Sequence, residues 1–118
     1  MKPLVYISSP YTMGEPLKNV AFQHEVWEQL RVSGLCTPIA PLWSHYQHEH
    51  SPLSWKEWID YDLEIVARCD YLLRLDAVCL GYFQRQSRGA DVEVAHAEKL
   101  DIPIFTDVSE FLWHLRTL

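Results

Sequence analysis

Two acidic side chains stand among apolar residues whose spacing is that of a helix. Asp62 falls on the same face of a predicted helix as four apolar residues, which are Trp55, Ile59, Leu63 and Val66. Glu93 lies in the first turn of a later predicted helix, beside an apolar stripe that consists of Ala90, Val94 and Ala97. Burying an ionised carboxylate costs free energy unless the group is paired or hydrogen bonded. Buried acids therefore indicate a structural network or nucleophilic and acid–base chemistry.

Each acid also has an ordinary interpretation. Asp62 could cap a neighbouring loop or pair with Arg74, and Glu93 could lie at the edge of its stripe, in solvent. For either acid alone the periodicity slightly favours this ordinary interpretation. Two such acids near one predicted crevice favour a functional pair.

A serine and a glycine precede Glu93 at the start of its helix. Ser87 offers a hydroxyl group, Gly89 allows close approach of the backbone, and a helix N-terminus supplies free N–H groups and the positive end of a dipole. The combination suits a phosphate or a sugar hydroxyl, although many ordinary helices begin with these residue types. Arg88 could add a cation, or it could be a solvated loop side chain.

Strands and helices alternate along the chain, and they must position these residues. Apolar runs predict strands over residues 4–7, 37–42, 71–75 and 102–105. Cap and breaker residues predict helices over residues 16–34, 54–69, 89–100 and 107–115. This alternation predicts a single α/β domain over residues 1–118, with a parallel sheet of four to five strands and helices on both faces. The expected architecture is Rossmann-like or flavodoxin-like.

Ligands of such sheets bind beyond the carboxyl ends of the strands. The first strand ends in Ser8, Ser9, Pro10 and Tyr11, and the third is followed by Asp76. Residues 42–45 and 106–107 follow the other two strands. The chemistry is expected at this edge of the sheet.

The composition narrows the classes of function. The chain has 118 residues, of which 48% are hydrophobic, and its formal net charge is -6. An acidic protein is poorly suited to coating polymeric nucleic acid, and no apolar run approaches the roughly 20 residues of a membrane span. We expect no signal peptide before the first strand. Three cysteines without a Cys-x-x-Cys pair predict no disulfide framework, so we expect a cytoplasmic protein.

Three segments occur in a characteristic order. They are Tyr6-Ile-Ser-Ser-Pro-Tyr11, then Asp62 with Asp70 eight residues later, then Ser87-Arg-Gly-Ala-Asp-Val-Glu93 with Ala97. Together they resemble the nucleoside 2-deoxyribosyltransferase superfamily, including the related deoxynucleoside-monophosphate N-glycosidases and small uncharacterised proteins grouped with them. The most specific part is Ser-x-Gly-x-x-x-Glu after a strand.

The resemblance implies an enzyme that cleaves the N-glycosidic bond of a (deoxy)nucleoside or a nucleoside 5′-monophosphate and transfers the sugar to water or another base. It implies that Glu93 attacks C1′ of the sugar and that Tyr6 supports this nucleophile. It also implies that Asp62 assists the departing base or orients the sugar. Ser87 would contact the 5′-phosphate, with Gly89 allowing close approach.

The remaining crevice residues complete the expected substrate-binding set, namely Ser8, Ser9, Pro10, Tyr11, Asp76 and Arg88. Ser9 stands where the family usually has glycine, which leaves the contacts of that loop open. The implied chemistry needs no metal or redox cofactor. Sites in this family often borrow residues across a subunit interface, so the resemblance implies a homo-oligomer, a dimer or larger.

Histidine and aromatic residues crowd segment 43–53, which is predicted to be a loop. His45, His48 and His50 could bind zinc, but they lack an i, i+4 helical spacing and a nearby cysteine. We expect a solvated or base-contacting loop rather than a metal site. Four aromatic residues could stack on a nucleobase or could belong to the core or a dimer contact; they are Trp43, Tyr46, Trp55 and Trp58.

Two other functions fit the same pattern. A non-catalytic nucleotide-binding or sensor domain could use this fold, because a fold does not fix a function. A small protein-interaction domain is supported only by the aromatic content. The presence of both Asp62 and Glu93 favours the enzyme, since a domain that only binds an anionic ligand has no need of two acids.

Overall fold

The computed structural model describes residues 1–11, 14–75 and 88–118. Within these residues the elements follow one another in the order β1 (Leu4–Ser8), α1 (Pro16–Ser33), β2 (Thr37–Ile39), a 3-10 helix (Pro41–Trp43), α2 (Ser44–His50), α3 (Trp55–Val66), β3 (Tyr71–Arg74), α4 (Arg88–Lys99), β4 (Ile104–Phe105) and α5 (Val108–Arg116). The predicted alternation of strands and helices is confirmed. The predicted strands and helices differ from the observed ones mainly in length.

The four strands form one parallel sheet in the order β2-β1-β3-β4. Tyr6 of β1 lies between Ile39 on one side and Leu72 on the other, so β1 is a central strand. The chain runs from β1 outward to β2 and then returns to the opposite side of β1 as β3. This reversal leaves a crevice at the carboxyl ends of β1 and β3, where ligands of doubly wound sheets bind.

Helices cover both faces of the sheet, as predicted. On one face Val5 and Ile7 pack with residues of α1 and α5, including Leu30 and Phe111. On the other face Tyr6 packs with Val66 of α3 and Ala97 of α4, among others. Because successive strand residues point to opposite faces, Tyr6 and Ser8 point to the face that α3 and α4 cover. These two helices carry the two acids of interest.

A capping box fixes the start of α3, as the sequence predicts. Ser54 Oγ accepts a hydrogen bond from Glu57 N at 3.1 Å, and Glu57 Oε1 accepts one from Ser54 N at 3.0 Å. At the end of α1, Gly34 adopts a left-handed conformation with φ of 73°, which only glycine takes without strain. The strand predicted over residues 37–42 shrinks to three residues at the sheet edge, in keeping with its two prolines.

The prediction of a loop over residues 43–53 is wrong, because the 3-10 helix and α2 occupy most of this segment. Helix α2 has seven residues and lacks an apolar stripe, so its sequence carries little periodic signal. Hydrogen bonds with residues outside the helix hold it in place instead. The Tyr11 hydroxyl pairs with His45 Nδ1, and Trp58 Nε1 donates to His48 Nδ1 at 2.7 Å.

In the described part of the chain, no helix combines the length and apolarity needed to cross a membrane.

Candidate active site

Glu93 is a buried carboxylate at the carboxyl end of the central strand. Only 6% of the residue is exposed. Ser8 Oγ donates a hydrogen bond to its Oε1 at 2.8 Å, and the Tyr6 hydroxyl donates one to its Oε2. The expectation that Glu93 lies in the first turn is wrong: α4 begins at Arg88, so Glu93 falls in the second turn.

Opposing effects set the charge of Glu93. Burial raises the pKa of its carboxyl group to about 7, while the hydrogen bonds from Tyr6 and Ser8 and the positive charge of Arg74 act to lower it. Both hydroxyl groups donate, so these two hydrogen bonds stabilise the ionised form against the larger effect of burial. Arg74 Nη2 lies 3.6 Å from Asp91 Oδ1. The proposed pairing of Arg74 with Asp62 is therefore not the pairing that the structure records.

Asp62 is a half-buried acid that differs from Glu93 in its partners. Its side chain forms no hydrogen bond with the described residues. Burial and, to a lesser extent, the negative charge of Glu93 raise the pKa of Asp62 to about 7. Among the described residues, Glu93 has hydrogen-bond donors that stabilise its charge and Asp62 has none. These contacts favour ionisation of Glu93 before that of Asp62.

Both acids line one cavity of about 760 Å³ at the carboxyl edge of the sheet. A volume of this size suits a small-molecule ligand. Helices α3 and α4 form one side, and the end of β1 and residues 42–48 form the other. Apolar side chains from α3 and the preceding segment complete the wall, namely Leu53, Trp55, Trp58 and Ile59.

Four of the predicted substrate-binding residues line this cavity, and they are Ser9, Tyr11, Arg88 and Gly89. Ser8 and Pro10 are buried and are not among its lining residues. Ser8 instead uses its hydroxyl on Glu93. Asp76 and Ser87 lie outside the described residues.

A buried glutamine of α1, not singled out from the sequence, joins two segments of one cavity wall, the end of β1 and the start of residues 42–48. Gln23 Nε2 donates to Ile7 O at 3.1 Å and to Ser9 Oγ at 2.8 Å, and Gln23 Oε1 accepts from Leu42 N at 2.8 Å. The sequence does indicate that Gln23 is buried, because it lies on the same helical face as Val20 and Leu30. Asp62 lies among apolar residues in the same way.

A second cavity, of about 810 Å³, adjoins the first. Trp58 and Asp62 line both cavities. Aromatic rings dominate the second wall, which includes Trp43, Tyr46 and Tyr61. Stacking surface is thus available next to Asp62.

The three histidines of segment 43–53 have different surroundings. His45 Nδ1 contacts the Tyr11 hydroxyl and its Nε2 lies 2.9 Å from Glu49 Oε1. His48 Nδ1 accepts from Trp58, and His50 is exposed. Among the described residues, no group of three or more histidine, cysteine or acidic side chains is arranged to hold a metal ion.

Comparisons with family models, with curated proteins and with solved structures yield no match to this chain. The function proposed below rests on the geometry of the site and on the motifs that carry the resemblance.

The two acids predict an unusual dependence of stability on pH. Their folded-state pKa values, about 7 for each, lie above the ordinary 4.5 of Glu and 3.8 of Asp. The folded protein therefore binds these protons more tightly than the unfolded chain, and the stability that they contribute is complete below about pH 4 and is lost as pH rises through 7. At about 1.4 kcal/mol per pKa unit, the loss is on the order of a few kcal/mol for each acid.

Urea denaturation at pH 5 and pH 8 measures this loss. We expect Glu93→Gln to lose clearly less stability than the native protein between the two values. Glu98→Gln, an exposed position on the same helix, should behave like the native protein. Equal losses in Glu93→Gln and the native protein would show that Glu93 does not titrate in this range.

Proposed function

We propose that this protein cleaves the N-glycosidic bond of a (deoxy)nucleoside or a nucleoside 5′-monophosphate through a covalent sugar–Glu93 intermediate. One observation carries the proposal: a buried glutamate, held by the hydroxyl groups of Tyr6 and Ser8, lines the same cavity as a second acid of raised pKa. The motif resemblance points to the same two acids. Paired carboxylates with separate roles are the usual means of breaking a glycosidic bond by double displacement.

In the first displacement a carboxylate oxygen of Glu93 forms a bond to C1′ while the bond from C1′ to the base nitrogen breaks. The electron pair of that bond passes to the base, which takes a proton from Asp62. Positive charge develops on the sugar in the transition state. The acidic site stabilises this charge, and the hydroxyl groups on Glu93 hold the nucleophile in place.

In the second displacement water or another base attacks C1′ and releases Glu93. The attacking group gives its proton to the Asp62 carboxylate, which returns the site to its starting state. Two displacements at one carbon retain its configuration. The acceptor decides between a hydrolase and a transferase.

Recognition of a 5′-phosphate is a finer proposal and centres on Arg88. Among the described residues that line the cavity, Arg88 is the only lysine or arginine. Its guanidinium lies over the Trp55 ring, 3.8 Å from the centroid, and this stacking holds the cation at the start of α4. The net charge of -6 and the nearby Asp91 oppose binding of a dianion.

Incubation with deoxynucleosides and with their 5′-monophosphates, followed by chromatography for free base, tests the proposal. We expect release from at least one substrate class. A 5′-phosphate site at the start of α4 requires that the monophosphate be preferred and that Arg88→Gln reduce this preference. Absence of release across both panels would contradict the proposed reaction and favour a domain that only binds nucleotides.

A further inference from the structure

The hydrogen bonds of His48 define which of its ring nitrogens carries the proton. His48 Nδ1 lies 2.7 Å from Trp58 Nε1 and 3.2 Å from the backbone nitrogen of Leu53. An indole N–H and a backbone N–H can only donate, so Nδ1 must accept both bonds. The ring is therefore neutral and its proton resides on Nε2.

Among the described residues, the Nε2–H group of His48 has no hydrogen-bond partner. His48 is half-buried and lines the cavity that contains Asp62 and Glu93. Within residues 1–11, 14–75 and 88–118, no acceptor is hydrogen bonded to Nε2. Trp58 has already used its indole N–H on His48, so it offers the cavity only an apolar ring. The donor is thus available to a ligand beside the apolar side chains of Leu53 and Trp58.

The position of this donor relative to the acids indicates which part of a ligand it meets. Trp58 and Asp62 are four residues apart on α3, which places their side chains on one helix face about 6 Å apart. His48 is bonded to Trp58 and so lies on the side of the proton donor, Asp62. Glu93, the nucleophile, projects from α4. A ligand fragment between His48 and Asp62 is therefore the leaving group rather than the sugar.

We propose that His48 is a specificity-determining residue whose Nε2–H donates a hydrogen bond to an acceptor atom of the leaving base, a carbonyl oxygen or a ring nitrogen. This inference rests on the proposed function. Breaking the glycosidic bond sends an electron pair into the base, and negative charge grows on such acceptor atoms. A fixed donor stabilises that charge more in the transition state than in the bound substrate.

Two substitutions test the Nε2–H donor of His48 separately from the Nδ1 acceptor that positions the ring. His48→Asn keeps an oxygen near the position of Nδ1, which can accept from Trp58 and Leu53, but leaves no N–H group at the position of Nε2. His48→Gln places an amide N–H near the position of Nε2. We expect His48→Asn to lower kcat/KM about 10- to 100-fold, and His48→Gln to recover part of the loss. His96→Asn, at a half-buried position of α4 that lines neither cavity, should leave kcat/KM unchanged.

The dependence on leaving group is the decisive readout. It compares an accepted nucleoside with its analogue that carries an electron-withdrawing halogen on the base, for example 2′-deoxyuridine with 5-fluoro-2′-deoxyuridine. The halogenated base departs with less assistance. The loss of kcat/KM in His48→Asn should therefore be several-fold smaller for the halogenated nucleoside. Equal losses for both substrates would overturn the proposed contact, because a structural defect affects both alike.

Two measurements without turnover keep this inference distinct from the proposed function. Nitrogen-15 NMR of the histidine rings should show that His48 carries its proton on Nε2, and a proton on Nδ1 would overturn the inference. Binding of the free bases adenine and uracil, followed by tryptophan fluorescence, should be tighter to the native protein than to His48→Asn. If no substrate releases base but this affinity difference is found, the proposed reaction fails and the contact stands. If the affinities are equal, the contact fails.

Discussion

Glu93→Gln is expected to abolish base release, with a loss of about 10⁴-fold or more in kcat. The amide cannot attack C1′, yet it has nearly the volume of the carboxyl group and can still accept a hydrogen bond from Ser8 or Tyr6. The fold should therefore persist. Free base measured by chromatography gives the rate, and circular dichroism checks the fold.

The matched control is Glu98→Gln, which changes the same residue type on the exposed side of α4. It should release base at the native rate. A Glu93→Gln protein that turns over within tenfold of the native rate would remove Glu93 from the mechanism. Loss of activity with loss of fold would instead assign Glu93 a structural role, which the hydrogen bonds from Tyr6 and Ser8 would explain.

Asp62→Asn is expected to lower kcat/KM by about 10²- to 10⁴-fold, the range for loss of a general acid. The pH profile is the more specific readout. Activity in the native protein requires ionised Glu93 and protonated Asp62, so it should rise as Glu93 ionises, and fall at higher pH as Asp62 loses its proton. Asp62→Asn should keep the rising limb and lack the falling limb.

Asp60→Asn serves as its control, since Asp60 is exposed on α3 and pairs with Lys56 at 2.6 Å. Its rate and profile should match the native protein. An Asp62→Asn profile that retains the falling limb would show that another group supplies the proton. His45, whose Nδ1 contacts Tyr11 in the same cavity, would be the next residue to test.

The elements that carry the two acids could be predicted because their apolar stripes have a helical period. The stripe of Ala90 and Ala97 indicates the burial of Glu93, which the structure confirms. The α3 stripe was less accurate: Ile59 is buried, but Trp55 is 42% exposed and stacks with Arg88. Aromatic residues at the end of a stripe can serve a cavity wall as well as a core, and periodicity does not distinguish the two.

The partners of the acids could not be predicted by the same reasoning. Tyr6 and Ser8 lie 87 and 85 residues from Glu93 in sequence, and only the pairing of β1 with β3 and the packing of α4 bring them together. Alternation along β1 indicates that Tyr6 and Ser8 share a face, but not which helix covers it. The resemblance implied support from Tyr6, whereas the contact between Ser8 and Glu93 is new.

Helix α2 was missed for a related reason. Its seven residues are too few for a stable isolated helix, and they contain no apolar stripe. Contacts with Tyr11, which is distant in sequence, and with Trp58 of the following helix hold it. Most of the polar and aromatic residues that suggested a loop line the two cavities.

The most direct test of the central claim is to trap the sugar on Glu93. A nucleoside that releases its base is replaced by its 2′-deoxy-2′-fluoroarabinosyl analogue, because fluorine at C2′ disfavours positive charge on the sugar and slows release of the intermediate. Mass spectrometry of the intact protein should then show a gain of one fluorinated sugar, and peptide analysis should place it on Glu93. Glu93→Gln should gain nothing. Base release with no adduct, or an adduct on Asp62, would contradict the proposed role of Glu93 as nucleophile.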